Sequence, residues 1–143
     1  MDKHFHLIQD TIREKRTELH INLPSWEEIP LEIFNIKSLK VLSITGGWAG
    51  TRGKKNKIPK EIAQLSNLEV LNLSKNQITE ITSELFELEK LSQLYLEKNN
   101  ISILPESISK LINLEILDLG ENDITAIPRE LGSIPNLASL NLK

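Results

Sequence analysis

The chain has 143 residues, the length of a single domain, since most domains contain about 100 to 150 residues. Its 17 basic and 20 acidic side chains give a formal charge of -3, so no overall positive field exists to attract nucleic acid or an anionic membrane. The sequence has no cysteine, which excludes disulfides, thiolate metal sites and cysteine nucleophiles and favours a reducing, cytoplasmic location. No window approaches the ~18 consecutive apolar residues of a membrane helix, so we expect a domain with no membrane partner.

The N-terminal segment, residues 1–15, has the spacing of an amphipathic helix. Phe5, Ile8 and Ile12 follow an i, i+3, i+7 pattern, which places them on one helical face. We expect this helix to cap the hydrophobic core of the residues that follow. His4 and His6 lie in the same segment without a third ligand at a defined spacing, so the sequence predicts neither a metal site nor a cofactor.

Residues 16–143 repeat with a period of 23. The pattern Leu-x-x-Leu-x-Leu begins four times at this spacing, at Leu68, Leu91, Leu114 and Leu137. In each of the first three copies an asparagine follows three residues after the last leucine, and further aliphatic residues come next. Two earlier copies start at Arg16 and Leu39, and the halves of the second are separated by six extra residues. The sequence therefore predicts five full repeats, the second with an insertion, and one partial repeat.

This pattern resembles the leucine-rich repeat family, in the 23-residue form LxxLxLxxNxIxxIPxxIxxLxx. That form is similar to the repeats of intracellular Scribble, Erbin and Roco proteins and of many small bacterial repeat proteins. The resemblance implies an α/β fold, a right-handed solenoid with a parallel β-sheet on the concave side and short helices on the convex side. It also implies that Asn76, Asn99 and Asn122 turn inward as a buried ladder, and that proline stands in the first turn of the short helices.

The same resemblance places binding on the concave sheet, at strand positions whose side chains point away from the core. The candidate residues there are His20, Asn72, Tyr95, Glu97, Ile116 and Asp118. Tyr95 is the sole tyrosine, and its amphipathic ring is typical of an interface anchor, although tyrosine is equally a good strand residue. Val41 and Val70 form an exposed apolar pair that strand propensity explains as well. Acidic residues near the C-terminal end of this face suggest a basic partner, but solvated charged faces are common.

The insertion adds a glycine-rich basic loop within residues 46–60. Its candidate contact residues are Trp48, Arg52, Lys54 and Lys55. A nucleotide-binding P-loop would require glycine at position 48 and serine or threonine at position 55, so the spacing argues against nucleotide binding. For such a loop the sequence favours contact with a protein or a polyanion.

No combination of serine, histidine and carboxylate residues has the spacing of a catalytic site. The sequence therefore predicts a module without enzymatic activity that binds a protein or peptide on its concave sheet. Two alternatives stay open. The first is self-association, for example as a homodimer, through an open C-terminal edge, because the sequence ends one strand into a new repeat. The second is anion or nucleic-acid docking through the basic loop.

Overall fold

The computed structural model of the chain describes residues 3–22, 29–47 and 57–143. Helix α1 comes first and spans Lys3–Arg13. The strands that follow are β1 (Glu18–Asn22), β2 (Val41–Thr45), β3 (Val70–Asn72), β4 (Gln93–Tyr95), β5 (Ile116–Asp118) and β6 (Ser139–Asn141). Short 3-10 helices alternate with them, at Leu31–Asn35, Lys60–Gln64, Ser83–Glu87, Glu106–Lys110 and Arg129–Ser133.

The six strands form one open parallel sheet in chain order, β1 to β6. Equivalent positions of successive repeats lie side by side, so that Leu71 is the neighbour of Leu94, and Leu94 of Leu117. Val41 and Val70 are also neighbours in this register, although six more residues separate them than the 23-residue period allows. The insertion therefore leaves the strand pairing intact. Sequential parallel strands linked by short helices form a solenoid, which confirms the predicted fold class.

The core of the solenoid is a continuous stack of aliphatic side chains. Along each strand every second residue points inward, and Leu42, Leu94 and Leu117 are fully buried. The 3-10 helices close the opposite side of the stack, where they contribute the buried rings of Phe34 and Phe86. Burial of one such aliphatic or aromatic side chain stabilises the fold by roughly 1.5–3 kcal/mol. Because each layer covers its neighbours, the repeats are stable only as a stack.

The convex helices differ in detail from the prediction. Pro105 and Pro128 stand one residue before the helices, with φ of -68° and -66° and an extended ψ, and not inside the first turn. The carbonyl oxygen of Pro105 accepts a hydrogen bond from the backbone N–H of Ile108 at 3.1 Å, which closes a 3-10 turn. The proline therefore fixes the direction in which the chain enters the helix, and its carbonyl oxygen accepts the first hydrogen bond of the helix. Because the proline precedes the helix, its lack of an N–H group costs no helical hydrogen bond.

The predicted asparagine ladder is present and joins consecutive repeats. Asn99 donates from Nδ2 to the carbonyl oxygens of Leu73 (3.0 Å) and Leu96 (2.9 Å), and its Oδ1 accepts from the backbone N–H of Ile78 (3.0 Å). Asn122 repeats this arrangement one layer later. Asn99 is buried and Asn122 is half-buried. Each of the two side chains satisfies backbone groups of its own repeat and of the preceding one.

A second asparagine ladder, which the sequence analysis missed, runs at the start of the repeats. Asn67, Asn113 and Asn136 donate from Nδ2 to carbonyl oxygens of the preceding repeat, namely those of Lys37, Glu89 and Ile112. The signal in the sequence was an asparagine directly before the first leucine of the pattern. Lys90 replaces asparagine at this position in one repeat, and its Nζ donates to Oδ1 of Asn67 in the preceding repeat at 2.8 Å.

Helix α1 packs against β1 at one end of the sheet. Its buried face is not the predicted one: Ile8 is 2% exposed, but Phe5 and Ile12 are 47% and 42% exposed. Thr11 is fully buried instead, because its hydroxyl donates to the carbonyl oxygen of Leu7 at 2.7 Å and so needs no water. Among the ranges described, no helix combines the length and the apolar composition that crossing a bilayer requires.

Candidate functional site

The strand register arranges the concave side chains in columns that cross the sheet. The central column contains His20, Ser43, Asn72, Tyr95, Asp118 and Asn141. The column two residues earlier, here called the leading column, contains Glu18, Val41, Val70, Gln93, Ile116 and Ser139. Neighbouring members of a column are about 4.8 Å apart, the spacing of hydrogen-bonded strands. The structure thus brings Asn72, Tyr95 and Asp118 together, with Ile116 beside them.

Tyr95 occupies the middle of this surface and is half-buried. Its hydroxyl donates to Oε1 of Gln93, two residues earlier on the same strand, at 3.0 Å. In the register its neighbours are Asn72 on β3 and Asp118 on β5. The ring is therefore held over the sheet by a hydrogen bond at its polar end, with part of its apolar surface open to a partner.

Asp118 is held in a fixed orientation by two hydrogen bonds to the same oxygen. Its Oδ1 accepts from the backbone N–H of Gly120 and from Nδ2 of Asn141, each at 3.0 Å. A side chain at position 120 would not fit, because its Cβ would lie 2.5 Å from the carbonyl oxygen of Lys143 and 2.7 Å from Nδ2 of Asn141. Glycine at this position therefore allows β6 to approach and orient the carboxylate.

The acidic residues near Tyr95 differ in their pairing. Nζ of Lys98 lies 3.3 Å from Oε1 of Glu97 and 3.0 Å from Oε1 of Glu121. These two carboxylates, that of Glu121 first, raise the pKa of the Lys98 ammonium group above its usual 10.5. Asp118 belongs to none of the ion pairs found within the described ranges. Glu97 is thus already paired, whereas Asp118 is oriented by neutral donors.

The leading column adds an apolar stripe beside these polar groups. Val41 and Val70 are direct neighbours and are half-buried, and Gln93 separates Val70 from Ile116. The surface around Tyr95 therefore combines an aromatic ring, one oriented carboxylate and aliphatic side chains. Such a mixture suits the recognition of a polypeptide better than bond-making chemistry.

The structure separates His20 from this group. His20 lies on β1, three strands or about 14 Å from Tyr95, and its Nε2 is 3.6 Å from Oε2 of Glu18. It lines a cleft of about 450 Å³ between α1 and β1, together with Lys3, His4, His6 and Asp10. In the part of the chain that the structure describes, no three histidine or acidic side chains are placed to hold a metal ion.

The predicted loop residues Trp48, Arg52, Lys54 and Lys55 lie outside the described residues. The chain leaves β2 through Gly46 and Gly47, whose φ angles of 113° and 91° favour glycine, and the N–H of Gly47 donates to the carbonyl oxygen of Lys75. Anion or nucleic-acid docking by this loop stays a prediction.

The last strand, β6, is exposed along its whole length, including Leu140. Ile127 is likewise exposed, unlike its buried counterparts Ile81 and Leu104, because only β6 of the next repeat stacks beside it. Self-association as a homodimer through this edge stays a prediction. Light scattering tests it, since a strictly monomeric mass would contradict it.

Comparison with known proteins supports the architecture. Residues 48–143, more than half of the chain, match the model of a leucine-rich repeat region. A search of curated proteins finds no match. Among solved structures the chain is similar to an internalin, InlF, of Listeria monocytogenes, with 25% identity and a TM-score of 0.72 over 88% of this chain and 34% of that one.

Two plant receptors are also similar. The leucine-rich repeat ectodomain of GASSHO1/SCHENGEN3 from Arabidopsis thaliana, solved with CASPARIAN STRIP INTEGRITY FACTOR 2, shares 33% identity, with a TM-score of 0.71 over 88% of this chain and 15% of that one. The plant peptide hormone receptor RGFR1, solved with RGF2, shares 32% identity, with a TM-score of 0.70 over 88% of this chain and 20% of that one. The chain spans about a third of the internalin and a fifth or less of each receptor.

Proposed function

Because this chain belongs to the leucine-rich repeat family, we propose that it binds a protein or a peptide on its concave sheet and performs no chemistry of its own. The observation that carries this proposal is the strand register around Tyr95, which aligns Asn72, Tyr95 and Asp118 across three neighbouring strands. Ile116 adds an apolar contact two residues before Asp118. An aromatic anchor surrounded by polar and aliphatic side chains is typical of interface centres.

The dimensions of this surface favour an extended peptide or a single helix. Six strands at about 4.8 Å give a face only about 24 Å wide. The two similar plant receptors were solved with binding partners, and one of them is a peptide hormone receptor. These likenesses support a peptide partner for this chain, which corresponds to only a small part of either receptor.

The 23-residue period and the absence of cysteine support the further proposal that the chain is of the intracellular Scribble, Erbin and Roco type and acts in the cytoplasm. Cell fractionation tests the location. Recovery of the protein in the cytoplasmic fraction supports this proposal, and recovery from the culture medium or the cell surface contradicts it.

The central test removes Tyr95 and Asp118 together. The double variant Tyr95→Ala/Asp118→Ala should lose affinity for the partner that the wild-type chain captures, while its melting curve stays close to that of the wild type. Ile103→Ala/Glu106→Ala is the matched control, because it also removes one large side chain and one negative charge, but on the convex side, where Ile103 is 72% exposed. Retained affinity in the first variant, or an equal loss in the control, would contradict a concave binding site.

A further inference from the structure

We infer that the partner places an arginine side chain over Tyr95 and Asp118, with the guanidinium group between the aromatic ring and the carboxylate. This inference rests on the proposed function, since it names the chemistry that the same concave surface recognises. The residues that carry it are Tyr95, Ile116 and Asp118, which are brought together by the pairing of β4 with β5.

The carboxylate of Asp118 is the group that binds the arginine head. Asp118 accepts two hydrogen bonds from the described residues, from Gly120 and Asn141, and both end on Oδ1 and come from neutral donors. Within these residues the second oxygen is therefore left for another donor. Asp118 is half-buried and oriented before any partner arrives. A pre-oriented carboxylate binds a cation without a further cost in side-chain entropy, and hydrogen bonds between charged groups are about twice as strong as neutral ones.

No cation of the described part of the chain fills this place. The nearby Lys98 is shared between Glu97 and Glu121. Lys143 follows two residues after Asn141, but it forms no ion pair with Asp118 among the described residues. The surface beside Tyr95 is therefore complementary to a positive charge supplied by the partner.

The ring of Tyr95 favours arginine over lysine. Tyr95 is the register neighbour of Asp118, about 4.8 Å away across the strands, and the hydrogen bond from its hydroxyl to Gln93 holds its ring. A planar guanidinium can stack on an aromatic face and at the same time present N–H donors along its edge to a carboxylate. An ammonium group cannot form this stacked arrangement, because its charge is compact and tetrahedral.

Ile116 offers a contact for the aliphatic part of the bound side chain. Ile116 lies on the same face of β5 as Asp118, two residues earlier, and is half-buried in the leading column. The methylene groups of an arginine whose head lies at Asp118 can pack on Ile116, since long basic side chains usually cover apolar surface with their stems. An apolar residue next to the arginine would extend this contact toward Val70.

Nuclear magnetic resonance of the full chain tests the inference with defined peptides. The probes are acetyl-Leu-Arg-Leu-amide and its citrulline counterpart, which has the same shape and no charge, together with the lysine counterpart. We expect the arginine probe to cause saturable shifts in the backbone amide of Gly120 and the side-chain amide of Asn141, which both donate to Asp118. The citrulline and lysine probes should bind at least about tenfold more weakly than the arginine probe. This is the difference expected when a charge-assisted, stacked contact is lost.

Two variants separate a local contact from general electrostatics. Asp118→Asn should weaken binding of the arginine probe by about tenfold. Glu115→Gln removes the same charge at an exposed position one residue before the same strand, and it should leave the affinity for the probe within about twofold. Equal effects of the two variants, or equal binding of arginine and citrulline, would overturn the inference. Equal binding of lysine would overturn the assignment to arginine.

The outcomes also separate this inference from the proposed function. Shifts in β3 to β5 that are the same for all three probes would support a concave binding surface and overturn only the arginine site. Saturable shifts confined to residues outside the sheet would contradict both proposals.

Discussion

Asn122 donates a hydrogen bond from Nδ2 to the carbonyl oxygen of Leu96, 2.9 Å away and one repeat earlier in the chain. A second bond of the same kind joins Asn99 to Leu73. These bonds run along the axis of the solenoid and satisfy backbone groups where each strand turns into a loop. The ladder thus couples the repeats through polar contacts, in addition to the aliphatic stack beneath it.

Removal of Asn99 should destabilise the fold strongly. In Asn99→Ala the carbonyl oxygens of Leu73 and Leu96 and the N–H of Ile78 lose their hydrogen-bond partner. This loss should lower the free energy of unfolding by about 3 kcal/mol or more. Urea denaturation measures this loss. The control is the exposed neighbour Asn100, whose replacement with alanine should change the free energy by no more than about 0.5 kcal/mol. Similar losses in the two variants would mean that the ladder has no special role.

The buried face of α1 gives a second prediction. Ile8→Ala should lower the free energy of unfolding by about 2–4 kcal/mol, because Ile8 is packed in the core. Ile12→Ala, in the same helix, should cost less than about 1 kcal/mol, since that side chain is 42% exposed. Thermal or urea unfolding of both variants distinguishes the observed face from the one that the Phe5, Ile8, Ile12 spacing predicts. Equal losses would support the predicted face.

Gly120 supports the binding surface indirectly. Gly120→Ala places a Cβ against the carbonyl oxygen of Lys143 and against Asn141, so β6 must move and Asp118 loses a donor. We expect weaker partner binding with only a moderate loss of stability. Gly132→Ala is the control, because a Cβ at Gly132 would meet no heavy atom within 4 Å. Unchanged affinity in Gly120→Ala would show that the orientation of Asp118 does not matter.

The pKa of Glu84 gives a prediction that depends on pH. The hydroxyl of Thr82, which donates to its carboxylate, lowers this pKa below the usual 4.5, with a smaller contribution from Ser83. Thr82→Val should therefore move the titration of Glu84 upward toward 4.5, and Ser83→Ala should move it less. Carbon-13 resonances of the carboxyl group measure both shifts. A midpoint that does not change in Thr82→Val would contradict the assigned cause.

The sign of the effect on stability follows from the same shift. A carboxyl group whose folded pKa lies below its unfolded pKa stabilises the fold at pH values above the unfolded pKa. That contribution is lost as the pH falls through the folded pKa. The stability difference between the wild type and Thr82→Val should therefore be present at neutral pH and disappear in acid, below the depressed pKa of Glu84.

The sequence predicted the sheet because its signal is local and repeated. Leu71, Leu94 and Leu117 recur at one period, and stacking forces equal positions into register. The columns of the concave surface follow directly from that register. The prediction of the buried face of α1 was wrong because it treated Thr11 as a polar, exposed residue. In the structure the Thr11 hydroxyl is hydrogen-bonded within the helix, so this side chain can be buried.

The chemistry of the site depended on contacts between repeats, which periodicity does not encode. The orientation of Asp118 requires the approach of Asn141 and the absence of a side chain at Gly120. Glu97 forms an ion pair with Lys98. The φ angle of Lys98 is 57°, in the left-handed region, and this conformation is a property of the turn that spacing does not reveal. From spacing alone, Glu97 and Asp118 both belong to the acidic residues near the C-terminal end of the concave face, whereas the structure gives the two carboxylates different partners.

Site-specific photocrosslinking tests the concave site most directly. A photoreactive benzoylphenylalanine in place of Tyr95 lies at the centre of the concave surface, and the same residue in place of Ile103 lies on the exposed convex side. We predict a covalent adduct with the partner from position 95, suppressed by an excess of the unlabelled wild-type chain, and none from position 103. An adduct that forms from position 103 and not from position 95 would contradict binding on the concave sheet.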